Sequence, residues 1–310
     1  MTRPRVLLKA RPTVTQLRNR LEAPVPDGME LYIHEDDVSG DDWFATLKSR
    51  FAAIDAPRDF SWIVEGPVWS LDGELFGLCR NNEIDRELTR RLVQLASHLG
   101  ATAVNVHCVD GGYDSAVLDR AARAEALERA LPYLEWYVAL CRDAGVLPLI
   151  ENVPPICRMR RAAIVYSPIG VEADDLSWCC ERVAGLGVTL DTSHAQLAVN
   201  AFRRVPAEES LLAAARYYAA LEGPRTLEHY IEPLLPWIVS AHVSNAAGLL
   251  DEGLPYAVGD ADLDSAVRLL ARSARYFVTE PLDTDEDRAP QKRDIQAHLL
   301  RVLSSPPAAL

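Results

Sequence analysis

Eight short runs rich in valine, isoleucine and leucine recur along this 310-residue chain, each followed by a longer amphipathic stretch. They are RVLLKA (5–10), ELYIHE (30–35), SWIVEG (61–66), TAVNVH (102–107), LPLIEN (147–152), VTLD (188–191), IVSAHV (238–243) and YFVTEP (276–281). Runs this short and this apolar suit parallel strands buried on both faces. The intervening stretches carry apolar residues at helical spacing, such as Leu88, Leu92, Leu95 and Leu99, then Leu127, Leu131, Leu134, Val138 and Cys141. Gly100 and Gly145 stand where those two helices should stop. Pro132 interrupts the second pattern and predicts a kinked or split helix. Residues 202–237 hold two further helical stretches, which enlarges the sixth crossover. No Gly/Ser-rich linker divides the chain, so the pattern predicts a single (β/α)8 TIM barrel over 1–303, with 304–310 as a disordered tail. An open doubly wound sheet would carry a glycine-rich turn after an early strand, and none is present.

Acidic residues outnumber basic ones by 13 (45 against 32), a balance that repels polyanions and argues against nucleic acid as a partner. The six cysteines lack paired metal-ligand spacing, and adjacent Cys179 and Cys180 fall in a helical pattern where a mutual bridge would be strained. They read as reduced thiols. Without a signal-like N-terminus or a membrane-length apolar run, the expectation is a cytoplasmic protein with no membrane partner.

In a barrel of this kind the chemistry sits where strands end and the following loops begin. Runs two to eight deliver His34 and Glu35, Glu65, His107, Glu151, Asp191, His242 and Glu280 to those positions. Asp, Glu and His total 52 of 310 residues, so any one of these can be a satisfied structural group. A full set is harder to obtain by chance. Ionised groups converging on one barrel mouth repel unless a cation or protons neutralise them. Three carboxylates and one imidazole make a mostly hard donor set that suits Mn²⁺, Mg²⁺ or Co²⁺ better than a structural Zn²⁺. Such an ion could polarise a substrate carbonyl while a carboxylate removes the adjacent carbon-bound proton. His194 follows Asp191 by three residues, a spacing equally compatible with a metal site, a catalytic dyad or a helix cap.

Taken in series, ENVP (151–154), LDTSHA (190–195), AHVSN (241–245), GDADLD (259–264) and TEP (279–281) resemble the motifs of the xylose isomerase-like TIM-barrel superfamily. That superfamily includes sugar phosphate isomerases and epimerases, ketose 3-epimerases, dehydratases and an endonuclease branch. The resemblance implies a metal held by Glu151, Asp191, His242 and Glu280, with Glu151 and Glu280 moving protons on opposite faces of the substrate. It also implies that His194 touches substrate oxygens and that His107 lines the site. Three positions depart from the pattern. Glu65-Gly66-Pro67 replaces a motif that usually begins with histidine, Gly253 stands where metal-rich members carry histidine, and Gly248 where ketose 3-epimerases carry arginine. These departures argue against a trinuclear zinc nuclease and against a close ketose 3-epimerase copy.

The expectation is therefore a metal-dependent isomerase or epimerase of a small polyhydroxy carbonyl compound, with Mn²⁺ the leading cofactor and Mg²⁺, Co²⁺ or Zn²⁺ as alternatives. Dehydration of a keto-cyclitol or 3-dehydroshikimate-like compound is the runner-up, ahead of a non-catalytic binding barrel or a phosphoesterase. The substrate-binding set is His194, His107, Glu65 and Arg158. Arg158, with Arg160 and Arg161, could clamp a phosphate or carboxylate, although a solvated loop or a contact within a homo-oligomer explains the cluster as well. Trp62, Trp69 and Tyr113 could wall the pocket or simply fill the core, and His98, His229 and His298 are expected to be exposed.

Overall fold

The computed structural model describes residues 3–110, 119–158, 164–203 and 212–304. Eight parallel strands close into a barrel in which each strand pairs with its two neighbours in sequence, β8 returning to β1. They are β1 (Arg5–Ala10), β2 (Gly28–Tyr32), β3 (Ser61–Glu65), β4 (Ala103–His107), β5 (Leu147–Glu151), β6 (Gly187–Asp191), β7 (Ile238–Val243) and β8 (Tyr276–Thr279). The helices are α1 (Val14–Arg20), α2 (Trp43–Ala52), α3 (Glu83–Leu99), α4 (Arg120–Ala144), α5 (Ala173–Arg182), α6 (Thr192–Ala201), α7 (Leu212–Ala219), α8 (Leu227–Ile231), α9 (Leu263–Leu270) and α10 (Pro290–Ser304). This is the (β/α)8 barrel that the alternating runs predict. The second run is shifted: β2 starts two residues before ELYIHE, so His34 caps, and Glu35 opens, a short 3-10 turn beyond the strand.

Strand parity builds the site. Successive side chains of a strand point to opposite faces, here the helices or the barrel axis. Val64, Val104, Ile150, Leu190 and Phe277 face outward into the large core shared with the helices. Leu7, Ile63, Ala103, Leu149, Tyr276 and Val278 form a separate buried cluster, the apolar floor of the barrel. Two residues further along the same strands come Lys9, Glu65, Asn105, Glu151 and Glu280. The polar mouth thus rests directly on an apolar plug.

Two helix stops match their glycines, because Gly100 (φ 62°) and Gly145 (φ 72°) take the left-handed conformation that ends α3 and α4. Pro132 neither splits nor ends α4, which is assigned as helix without a break from Arg120 to Ala144. Burial of Leu127, Ala130, Tyr133, Leu134 and Tyr137 along one face outweighs the hydrogen bond that the proline removes. The sixth crossover is enlarged as expected, with α7 and α8 beyond α6. All six cysteines are free. Ser304, read as the start of the tail, closes α10, and 305–310 lie outside the described residues. Among the described residues no helix is long and apolar enough to cross a membrane. On the mouth side, hairpins follow β5 (Cys157–Arg158 with Ile164–Val165) and β7 (Asn245–Ala247 with Asp251–Leu254).

Candidate metal centre

Glu151, Asp191, His242 and Glu280 come from four consecutive strands, and their donor atoms all lie within 4.8 Å of one another. His242 Nδ1 is 3.2 Å from Glu151 Oε1 and 3.9 Å from Asp191 Oδ2, and it contacts Glu280 Oε2. Three of the facing atoms, Glu151 Oε1, His242 Nδ1 and Glu280 Oε2, are buried without a well-formed hydrogen bond. Buried polar atoms are almost always satisfied, so donor atoms of this kind crowded together without a well-formed hydrogen bond fit a divalent cation.

Each ligand is oriented by a second residue. Glu30 Oε1, fully buried on β2, lies 2.7 Å from His242 Nε2, a carboxylate placed to favour a proton on that nitrogen and to leave Nδ1 for a cation. Asn105 Nδ2 donates to Glu151 Oε2 at 2.5 Å. Lys9 Nζ bonds Glu280 Oε1 and lies 2.5 Å from Glu65 Oε2. Asn152 joins β5 to β6, accepting from the Asp191 amide at 2.7 Å and donating to its carbonyl at 3.0 Å. Asp191 Oδ1 accepts the His194 amide at 2.7 Å and thereby caps α6 itself. Thr192 and Ser193 tie down the β7 loop: Thr192 Oγ1 donates to the Ser244 carbonyl and Ser193 Oγ accepts the Gly253 amide.

Without a cation the cluster is electrostatically unbalanced. Burial works to raise Glu151, yet the His242 and His107 imidazoles outweigh it and hold the carboxyl at about 2. Burial is likewise overcome at Glu280, held well below the usual carboxylate range by His242 and Lys9. Asp191 is pushed up to about 7 by burial, with Glu280 and Glu151 adding to the rise. His194 rises to about 10 because Asp191 and Glu252 overcome the effect of burial, whereas His107 is lowered chiefly by burial.

Above the quartet opens a cavity of about 590 Å³ lined by Glu280, Glu65, His107 and His194 among others. Glu151, Asp191 and His242 lie beneath it, at most 1 % exposed. His194 Nδ1 lies 2.9 Å from the Asn152 carbonyl, an acceptor only, so Nδ1 carries the proton and Nε2 faces Glu252 Oε2 at 3.5 Å. His107 Nε2 is 3.6 Å from Glu65 Oε1. Arg158 begins the hairpin after β5, where its backbone pairs with Ile164; its side chain, and Arg160 and Arg161 altogether, lie outside what the structure describes. Trp69 lines the cavity, Trp62 packs instead in the core on Phe51 and Phe60, and Tyr113 lies outside the described residues. His98 and His229 are exposed, whereas His298 is half-buried against Tyr256.

Lys9, Glu30, Asn105 and Glu252 escaped the sequence reading. Strand parity counted from the apolar floor points to the first three. Glu252 reaches the mouth only through the hairpin after β7. That hairpin also accounts for Gly253: its φ is +66°, and a Cβ there would lie 2.5 Å from Leu282 Cγ. Gly248 also has a positive φ, +61°.

The profile of the xylose isomerase-like TIM-barrel family matches residues 27–300. No curated protein matches the chain. Among solved structures, a D-tagatose 3-epimerase-like protein superposes with a TM-score of 0.62 at 17 % identity, covering 96 % of this chain and 97 % of its own. A 3-keto-D-glucoside 4-epimerase from E. coli gives 0.60 at 13 % identity, covering 95 % and 98 %. A xylose isomerase-like TIM-barrel protein from Mycobacterium smegmatis, solved with magnesium, gives 0.62 at 14 % identity, covering 98 % and 97 %. At such identities the superpositions speak for the fold alone, whereas the profile spans most of the chain: this protein belongs to the xylose isomerase-like TIM-barrel family.

Proposed function

We propose that the protein is a divalent-metal-dependent isomerase or epimerase that moves a proton at the carbon beside a carbonyl in a small polyhydroxy compound. The observation that carries this reading is the convergence of three carboxylates and one imidazole beneath a cavity, with Glu280 belonging to both. The D-tagatose 3-epimerase-like protein and the 3-keto-D-glucoside 4-epimerase among the structural neighbours support it. The donor set favours Mn²⁺, with Mg²⁺, Co²⁺ and Zn²⁺ as alternatives. Glu151, Asp191, His242 and Glu280 would hold the cation, which when bound polarises the substrate carbonyl.

The chain supplies the rest. Glu280 alone of the quartet lines the cavity, so it takes the proton, and its contact with Lys9 fixes the carboxylate plane. Glu151 is the partner on the other side, oriented by Asn105. His194 Nε2 and His107 face substrate oxygens.

The test is metal analysis of purified protein before and after chelation, followed by reloading with Mn²⁺ and proton NMR of keto-sugars and keto-cyclitols in D₂O. Uptake of one or more divalent ions and exchange of a C–H beside the carbonyl are expected, with Glu280→Gln slowing exchange by at least a hundredfold. Loss of water in place of exchange would make the enzyme a dehydratase. A protein that takes up no divalent ion would overturn the proposal.

A further inference from the structure

The cavity is divided by the barrel's own order. Its metal side comes from β5 to β8, and the opposite wall from loops after β3, β4 and β5. That wall is apolar: Val68, Trp69, Leu75 and Phe76 follow β3, Val109 follows β4, and Val153 follows β5. It is also rigidly built. Trp69 and Leu75 pair across a small hairpin, in which the Ser70 amide donates to the Glu74 carbonyl at 2.8 Å and the Phe76 amide to the Val68 carbonyl at 3.0 Å. Arg80 clamps this hairpin to α3, donating to the Leu75 carbonyl at 2.6 Å and pairing with Asp72 at 2.7 Å and with buried Asp85 at 3.4 Å.

The described cations lining the cavity are all engaged. Lys9 is bound to Glu65 and Glu280, Arg11 lies 2.6 Å from Asp37, and Lys292 lies 3.1 Å from Asp283 and 2.9 Å from Glu286. Five carboxylates, Glu35, Glu65, Glu252, Glu280 and Glu286, line the same space. A substrate phosphate or carboxylate would have to draw one of these cations, or the His194 imidazole 3.5 Å from Glu252 Oε2, away from a carboxylate it already faces. Size allows a larger ligand than a simple sugar: at about 590 Å³ the cavity lies within the range of sites that take drug-sized molecules, whereas a six-carbon sugar has only twelve non-hydrogen atoms.

We infer that the substrate is an uncharged polyhydroxy ketone joined to an apolar group about the size of a phenyl ring, the ketone over the metal centre and the apolar group against the Trp69 hairpin. This rests on the isomerase reading above and narrows its substrate class. Burial of such a group contributes through apolar contact, and Trp69 supplies the broadest surface.

The experiment uses full-length, Mn²⁺-loaded protein and three matched ligands: methyl 3-keto-glucoside, phenyl 3-keto-glucoside and the 6-phosphate of the phenyl compound. Calorimetry should show the phenyl compound binding at least tenfold tighter than the methyl compound, and the phosphate at least tenfold weaker than its parent. Trp69→Ala should remove most of the phenyl advantage, read as the ratio of phenyl to methyl affinity; Trp69→Phe should keep most of that ratio, which separates lost contact from a misfolded hairpin. If the methyl compound exchanges its C–H in D₂O while the phenyl compound binds no tighter, or if the phosphate binds best, the inference falls and the isomerase reading stands. If the protein binds no metal and exchanges no ligand, both fall.

Discussion

At the scale of single residues, the centre depends on groups that never touch a cation. Glu30 is fully buried behind His242, with Oε1 2.7 Å from Nε2 and 3.9 Å from Lys9 Nζ. Removing such an outer partner costs metal proteins about 10–100-fold in affinity. Glu30→Gln should therefore weaken Mn²⁺ binding by about that factor in a competition titration while all four ligands remain. Lys9 has a different task. Burial alone would lower its ammonium, but Glu280, Glu65 and Glu30 raise it well above the ordinary lysine value. Lys9→Met would leave Glu65 and Glu280 facing each other without their shared cation. The expected loss is about 3–5 kcal/mol in urea unfolding of metal-free protein. Adding Glu65→Gln should restore part of it; if the double variant is no more stable than the single one, the electrostatic account fails. Neither residue is conspicuous in sequence. Lys9 sits near the end of RVLLKA like a solvated strand terminus, and Glu30 opens ELYIHE like a polar strand start. Their inward direction emerges only from parity with Leu7 and from the true start of β2 at Gly28.

At the scale of elements, the alternation of apolar runs revealed all eight strands because both faces of each are covered, which leaves little room for any other pattern. Boundaries were less legible. Hydrophobicity cannot show where β2 pairs with β1, and the two-residue offset decides that Glu30 lies within the strand and His34 in the turn beyond it. Pro132 does not split α4, because the tertiary contacts of that helix outweigh the local propensity of the proline. The capping box of α5 makes a further prediction. Asp175 Oδ2 accepts the Gly170 and Glu172 amides at 3.0 and 3.1 Å, and Oδ1 lies 2.7 Å from Arg123 Nε. Burial still pushes this carboxyl from 3.8 up to about 7, with Arg123 opposing the rise. Between those two values the unfolded chain releases a proton that the folded chain keeps. The protonated carboxyl thus contributes stability that is complete below about pH 4 and lost as pH rises through about 7. Asp175→Asn should flatten this part of the pH profile. The stability gap between wild type and variant should shrink between pH 4.5 and 7.5 by up to about 3 kcal/mol. Chemical denaturation at the two pH values checks it, and a gap that widens would show that Arg123, not burial, controls the group.

At the scale of the whole molecule, closure of the barrel creates the charge problem that a cation would solve. Glu30, Glu65, Glu151, Asp191 and Glu280 come from β2, β3, β5, β6 and just past β8, far apart in sequence, and only the closed sheet brings them onto one axis. The unfolded chain has no such cluster, so a divalent ion binds the native barrel alone and its binding energy adds to folding stability. At a free concentration a thousandfold above Kd the gain is about 4 kcal/mol. For a chain of this size that corresponds to a rise of roughly 6 °C in Tm. Chelation should reverse the rise and Mn²⁺ should restore it, as followed by scanning calorimetry. Asp191→Asn, which retains the side-chain oxygen that caps α6, should fold and yet lose most of the Mn²⁺-dependent increment. An Asp191→Asn protein that gains as much as wild type would mean that the ion stabilises the barrel somewhere other than this quartet.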